Sequence, residues 1–153
     1  MAHNVRKINL PSSSLLHGYK SGDDFLDCFA VNADIPPRQA AELITTFPFW
    51  VKALLRLRSM IVARFGLSAA GPDHIDKIVP FPVDQETQHE IISGFNDKHL
   101  NFRISVLSHN GQVSLATWVK RHNFGGRLYL AAIMPFHIAV ARNALRRLAH
   151  ASR

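Results

Sequence analysis

Residues 97–123, DKHLNFRISVLSHNGQVSLATWVKRHN, constrain the fold more than any other part of the chain. Two runs of alternating apolar and polar residues flank Asn110-Gly111. Asn-Gly accepts the two positive φ angles of a type I′ turn, which joins two antiparallel strands with no residue to spare. With those two residues in the turn, His109 pairs with Gln112, Val106 with Leu115, Ile104 with Thr117 and Phe102 with Val119. One face then carries Leu100, Phe102, Ile104, Val106, Leu115, Thr117 and Val119, with Val113 on the diagonal. That face is apolar throughout and must be covered. The opposite face carries Asp97, His99, Asn101, Arg103, Ser105, Ala116, Trp118, Lys120 and His122, polar with one large aromatic. A slip of one residue would exchange the faces, so the register is well specified.

The natural cover is the segment GGRLYLAAIMPFHIAVARNALRRL, residues 125–148. Its spacing predicts a helix from about Arg127 to Ala149, with Leu130, Met134, His137, Ala141, Leu145 and Leu148 on one stripe. Tyr129, Phe136, Asn143 and Arg147 fall on the other side. Pro135 removes a backbone hydrogen bond and crowds the carbonyl of Ala131, which predicts a kink. The kink either fits the helix to its sheet or opens a space lined by Leu130, Met134 and His137. A neutral imidazole on an apolar stripe needs partners for its nitrogens. His137 is therefore either a satisfied core residue or a polar point in a greasy pocket.

Upstream, residues 23–31 read as a strand with Phe25, Phe29 and Val31 on one face and Leu26 and Cys28 on the other. ADIPPRQAAELI reads as a helix start, and a second helix is expected from about Trp50 to Phe65, ending at Gly66. Pro80 and Pro82 confine DKIVPFPVDQ to a sheet edge, and Gly94 marks a possible bulge in the next strand. Residues 1–20 look polar and irregular. This order makes an α+β fold, a single domain over residues 1–153, with about five or more antiparallel strands and two helices after the first strand.

The 153 residues are 47% hydrophobic, and no apolar run is expected to approach the roughly 18 residues of a spanning helix. Cys28 is the single cysteine, which excludes an internal disulfide and suits a reducing compartment, the cytoplasm. The formal charge of +7 raises nucleic acid or an anionic membrane as partner. The basic residues are scattered, however, and the cluster Arg142, Arg146 and Arg147 complements a helix C-terminus. The nine histidines show no metal-site spacing. His99, His122 and Asp97 would face one another on the hairpin as a surface network. The turn NFGG before Arg127 lacks the full phosphate-loop pattern, no nucleophile motif appears, and no cofactor is implied.

Three segments carry a resemblance: FPFWVKALLRLRSMIVARFGL, NDKHLNFRISVL and HNFGGRLYLAAIMPFHIAVARNALRR. They resemble domain-of-unknown-function family 2867, an uncharacterised bacterial family. The order of elements resembles the helix-grip fold of the START and Bet v 1-like superfamily. That likeness implies a curved sheet gripping the C-terminal helix, with a cavity between them for an apolar or amphipathic small molecule. His137, Met134, Leu130, Phe102 and Thr117 would line it. Two alternatives stay open. One is an enzyme of the same fold using His137 as acid or base, with Tyr129 or Arg127 nearby. The other is an interaction module without a ligand, including a homodimer formed through Trp118 and Arg103, where the guanidinium would stack on the indole.

Overall fold

The computed structural model describes residues 4–45, 77–78, 81–96 and 100–151, with positions 53, 56, 57 and 60. Of the expected second helix, from about Trp50 to Phe65, positions 53, 56, 57 and 60 are described and are helical, and the rest lies outside the described residues. Among those described, seven antiparallel strands form one sheet in the order β1-β2-β7-β6-β5-β4-β3. The strands are β1 (Arg6–Lys7), β2 (Phe25–Asn32), β3 (Lys77–Ile78), β4 (Phe81–Glu86), β5 (Glu90–Asn96), β6 (Leu100–His109) and β7 (Gln112–Arg121). Two α-helices are described along their length: α1 (Pro37–Ile44), with proline at its first position, and α2 (Phe124–Ala151).

The β6–β7 hairpin has the expected register, from His109 opposite Gln112 to Leu100 opposite Arg121. Asn110 and Gly111 both take positive φ, 53° and 73°, as the turn requires. β4 to β7 form a meander, and β2 then closes against β7. Phe29, Val31, Ile91, Val106, Val113 and Leu115 give one face of the sheet its apolar surface, and Ala40 and Ile44 of α1 pack on it with Ala141, Leu145 and Leu148 of α2. Burial of a leucine such as Leu145 contributes about 1.5–3 kcal/mol. A neighbouring cluster joins Leu100, Val119 and Leu130 to Phe25, Phe102 and Met134.

The opposite face corrects the expectation of an open, polar surface. The described part of the segment expected to be irregular, residues 4–20, is not simply so. They add β1 and a 3-10 turn (Leu15–Gly18), and they cover the back of the sheet. Leu16 is fully buried there with Cys28, Ile92, Ala116 and Trp118. Trp118 is only 4% exposed and Arg103 only 9%. The site expected for a second copy is occupied by the chain's own N-terminal segment. The arginine does not stack on the indole as expected: its guanidinium lies 5.6 Å from the ring centroid of Tyr19, whose ring in turn lies 5.6 Å from that of Trp118. Tyr19 donates its hydroxyl hydrogen to Asp84, and burial and that carboxylate push its pKa up. Glu90, 2% exposed, fixes the segment by accepting from Ser14 Oγ (2.6 Å), the Leu15 amide (2.7 Å) and Ser105 Oγ.

The bulge expected at Gly94 occurs instead in β4, where the register shifts between Val83 and Gln85. Gly94 is needed for another reason. Its φ is +147°, and a Cβ there would stand 2.2 Å from the carbonyl oxygen of Phe102. Helix α2 is, by length and composition, apolar enough to cross a membrane, contrary to the expectation that no segment approaches this. In the structure it packs on the sheet through Leu130, Ala141, Ala144, Leu145 and Leu148. Pro135 lies inside α2 without ending it and on an exposed side.

Burial pushes the Cys28 thiol up to about 12, opposed only in part by a hydrogen bond to Ser114. The folded state therefore favours the neutral thiol. The stability this contributes is complete below the ordinary value of 9.0 and is lost as pH rises from there towards 12. Two results are expected: maleimide labelling of Cys28 that requires unfolding, followed by mass spectrometry, and a melting temperature that falls over this alkaline window. Rapid labelling of the native protein at neutral pH would contradict the buried placement.

Candidate functional site

Between the sheet and the two helices is a cleft of about 90 Å³. Its walls are largely aliphatic, with Val106 and Leu115 from the sheet facing Val140, Ala141 and Ala144 from α2. Alanines at 141 and 144 leave the space that larger side chains fill elsewhere along the helix. Four polar side chains interrupt the apolar lining: Thr45 at the end of α1, Ser93 of β5, Thr117 of β7 and His137 of α2. Neither the Ser93 nor the Thr117 hydroxyl has a hydrogen-bond partner among the described residues. At the α1 end, the hydroxyl of Thr45 donates to the carbonyl of Ala41 at 2.8 Å.

Behind Thr117 stands a residue that the sequence reading passed over. Asp27 pairs across β2 and β7 with Thr117, so the two side chains share the helix-facing side of the sheet. Strand alternation puts it there: Phe25, Asp27, Phe29 and Val31 occupy the same face, three of them apolar. A carboxylate taken out of water needs compensation. It receives one hydrogen bond, from His137 Nε2 to Oδ2 at 3.0 Å. The Asp27 side chain is 6% exposed and that of His137 23%. The second oxygen, Oδ1, is buried with no hydrogen-bond partner among the described residues.

The pair has defined chemistry. With a hydrogen on Nε2 committed to Asp27, a neutral His137 carries its free lone pair on Nδ1. The carboxylate thus fixes both the tautomer and the ring plane, as in other carboxylate–imidazole pairs. An imidazole held in this way can orient a ligand or take up a proton.

The structure divides the residues expected at the site. His137 and Thr117 line the cleft. Leu130, Met134 and Phe102 do not. They pack with Leu100 and Val119 in the neighbouring apolar cluster, where Leu130 and Met134 stand about two turns and one turn before His137 on α2. Tyr129 belongs to the same cluster, although the wheel placed it on the far side, and Arg127 reaches outward to Asp23 at 3.3 Å. Neither stands at the cleft as a partner for His137. Arg103 and Trp118 lie behind the sheet under the N-terminal segment. Of the expected surface network, His122 bonds Asn101 at 2.8 Å, while Asp97 and His99 lie outside the described residues. Among the described residues, no group of three His, Cys, Asp or Glu side chains is arranged to hold a metal ion. A second depression, of about 210 Å³, lies near the hairpin turn between Pro11, Ser13, Leu107 and His109, on the face opposite the cleft.

No curated protein matches the chain. No solved structure matches it either. A family model does match, over residues 21–144, and its description is protein of unknown function (DUF2867). That stretch runs from just before β2 through the α2 wall of the cleft, and so takes in Asp27, Thr117 and His137. The chain belongs to the DUF2867 family.

Proposed function

We propose that the chain is a helix-grip domain that binds a small amphipathic molecule in the cleft between sheet and α2, in the cytoplasm. The observation that carries this reading is the buried Asp27, with an unsatisfied oxygen, bonded from behind to His137 where that ring lines a largely aliphatic space. Buried polar groups are satisfied as a rule, and those that are not mark a strained or functional place. An aliphatic wall with a few convergent polar groups is the usual form of a small-molecule site. The size bounds the ligand. A dry cavity of about 150 Å³ is enough for benzene. The cleft, at about 90 Å³, suits a short chain or the end of a longer molecule. The single cysteine, held as a buried thiol, fits a reducing compartment.

Titration of the full-length protein with 1-hexanol, followed through backbone amide spectra, tests the reading. Shifts are expected to cluster at Ser93, Thr117 and Ala141. They should vanish in Ala141→Leu, which fills the cleft, while circular dichroism shows that this variant remains folded. Shifts scattered over the surface, or unchanged in folded Ala141→Leu, would contradict the reading.

The Asp27–His137 hydrogen bond also favours a second reading, in which His137 acts as a general base on a bound substrate. Turnover of a short-chain ester that is lost in His137→Gln, with hexanol shifts retained, would support it. Equal turnover in both proteins would remove it.

A further inference from the structure

We infer that the cleft selects a neutral hydroxyl-bearing ligand over a carboxylate or an ammonium of the same length, and that Asp27 is the specificity-determining residue. The inference rests on the binding reading above and adds the chemistry of the head group. Three features lead to it. The first is Asp27 itself: it stands just behind two residues that line the cleft, paired with Thr117 and bonded to His137, is more than nine-tenths buried and has one oxygen without a donor among the described residues. Its demand is for a hydrogen-bond donor. A ligand carboxylate offers none and brings a second negative charge into a poorly solvated place.

The second feature is the imidazole. An ammonium head group would meet the carboxylate's demand, but it would have to be stripped of water among aliphatic side chains. It would also sit beside a His137 ring that already engages Asp27 at 3.0 Å and competes for the same negative charge. The third feature is the pair of hydroxyls. Thr117 stands directly across from Asp27, and Ser93 lines the same cleft. Each can donate as well as accept. An alcohol matches this set, since it donates one hydrogen to His137 Nδ1 and accepts from Thr117 or Ser93. At the opposite, α1 end, the guanidinium of Arg147 donates to the carbonyl of Ile44 at 3.4 Å and to Asn143 Oδ1 at 3.0 Å.

The test compares 1-hexanol, hexanoate and hexylammonium on the full-length protein by the same amide spectra, with wild type and Asp27→Asn side by side. Wild type is expected to bind hexanol at least about tenfold more tightly than either charged analogue, a ratio that one well-placed polar contact supplies. In Asp27→Asn the discrimination against hexanoate should shrink to within about threefold, because the amide removes the negative charge and adds a donor. Hexanoate or hexylammonium binding wild type as tightly as hexanol, with shifts at Thr117 and Ala141, would overturn the inference and leave the cleft reading in place. Undiminished discrimination in a folded Asp27→Asn would overturn the role given to Asp27. Failure of all three probes to shift the cleft residues would overturn the binding reading, and the inference with it.

Discussion

His137→Ala is expected to lower the melting temperature by about 6–12 °C, corresponding to about 3 kcal/mol at this chain length. The loss comes less from the imidazole than from what it leaves behind. Asp27 is 6% exposed and receives its one hydrogen bond from Nε2, so truncation leaves both carboxylate oxygens buried without a donor. Leaving a buried charged acceptor without its donor costs about 3 kcal/mol or more. The lower end applies because the histidine side chain is 23% exposed, and water can reach part of the space it vacates. Asp27→Asn should be much milder, about 1 kcal/mol, because the amide oxygen still accepts from Nε2. The double variant His137→Ala/Asp27→Leu separates pairing from packing. With no carboxylate to strand, it should melt above His137→Ala alone. Single and double variants that melt together would show that the ring does not hold the carboxylate.

Glu90→Ala has the second large effect, an expected loss of about 3–5 kcal/mol, and it acts on the opposite face. Its carboxylate accepts from Ser14 Oγ, Leu15 N and Ser105 Oγ, so alanine strands three donors at a site 2% exposed. Each unsatisfied buried donor costs about 1–3 kcal/mol, and water entering the cavity offsets part of the sum. The damage should be local at first. The 3-10 turn at Leu15–Gly18 is fixed through Ser14 and Leu15, so amide exchange at these residues should quicken before that of β6 and β7. Faster exchange should be accompanied by loss of protection at Leu16 and red-shifted Trp118 emission. Glu90→Gln, which keeps one acceptor oxygen, should lose less. Unchanged exchange at residues 14–18 in Glu90→Ala would contradict the latch.

The hairpin was legible because two independent signals agree on it. Asn110-Gly111 fixes the turn, and the alternation fixes which side is buried. The cover behind the sheet was not legible, since Ile8, Leu10 and Leu16 are spread over irregular backbone with no period to mark them. Trp118 therefore looked like an exposed aromatic rather than the partner of a segment about a hundred residues away. A signal did exist: Leu26, Cys28, Ile92 and Ala116 share its face and are all apolar or nearly so. Asp27 carried a clearer one, as the single charged residue in the parity of Phe25, Phe29 and Val31. What the sequence withheld was its partner. Asp27 and His137 are separated by 110 residues, and it is the pairing of β2 with β7 beneath α2 that brings them together. The helical wheel placed His137 correctly on the sheet side but said nothing about where along α2 the space lies. A helix of 28 residues spans about 42 Å. Bulky Leu130 and Met134 fill the contact at one end, and small Ala141 and Ala144 leave it open further on.

The most direct test of the account is a long-range proton–nitrogen spectrum of the His137 ring in the full-length protein, before and after addition of 1-hexanol. The account predicts a ring carrying a hydrogen on Nε2, assigned by its loss in His137→Gln, with an Nδ1 whose resonance moves as the alcohol enters. A ring protonated on Nδ1 instead, or an Nδ1 signal unmoved while amides of the cleft shift, would contradict it.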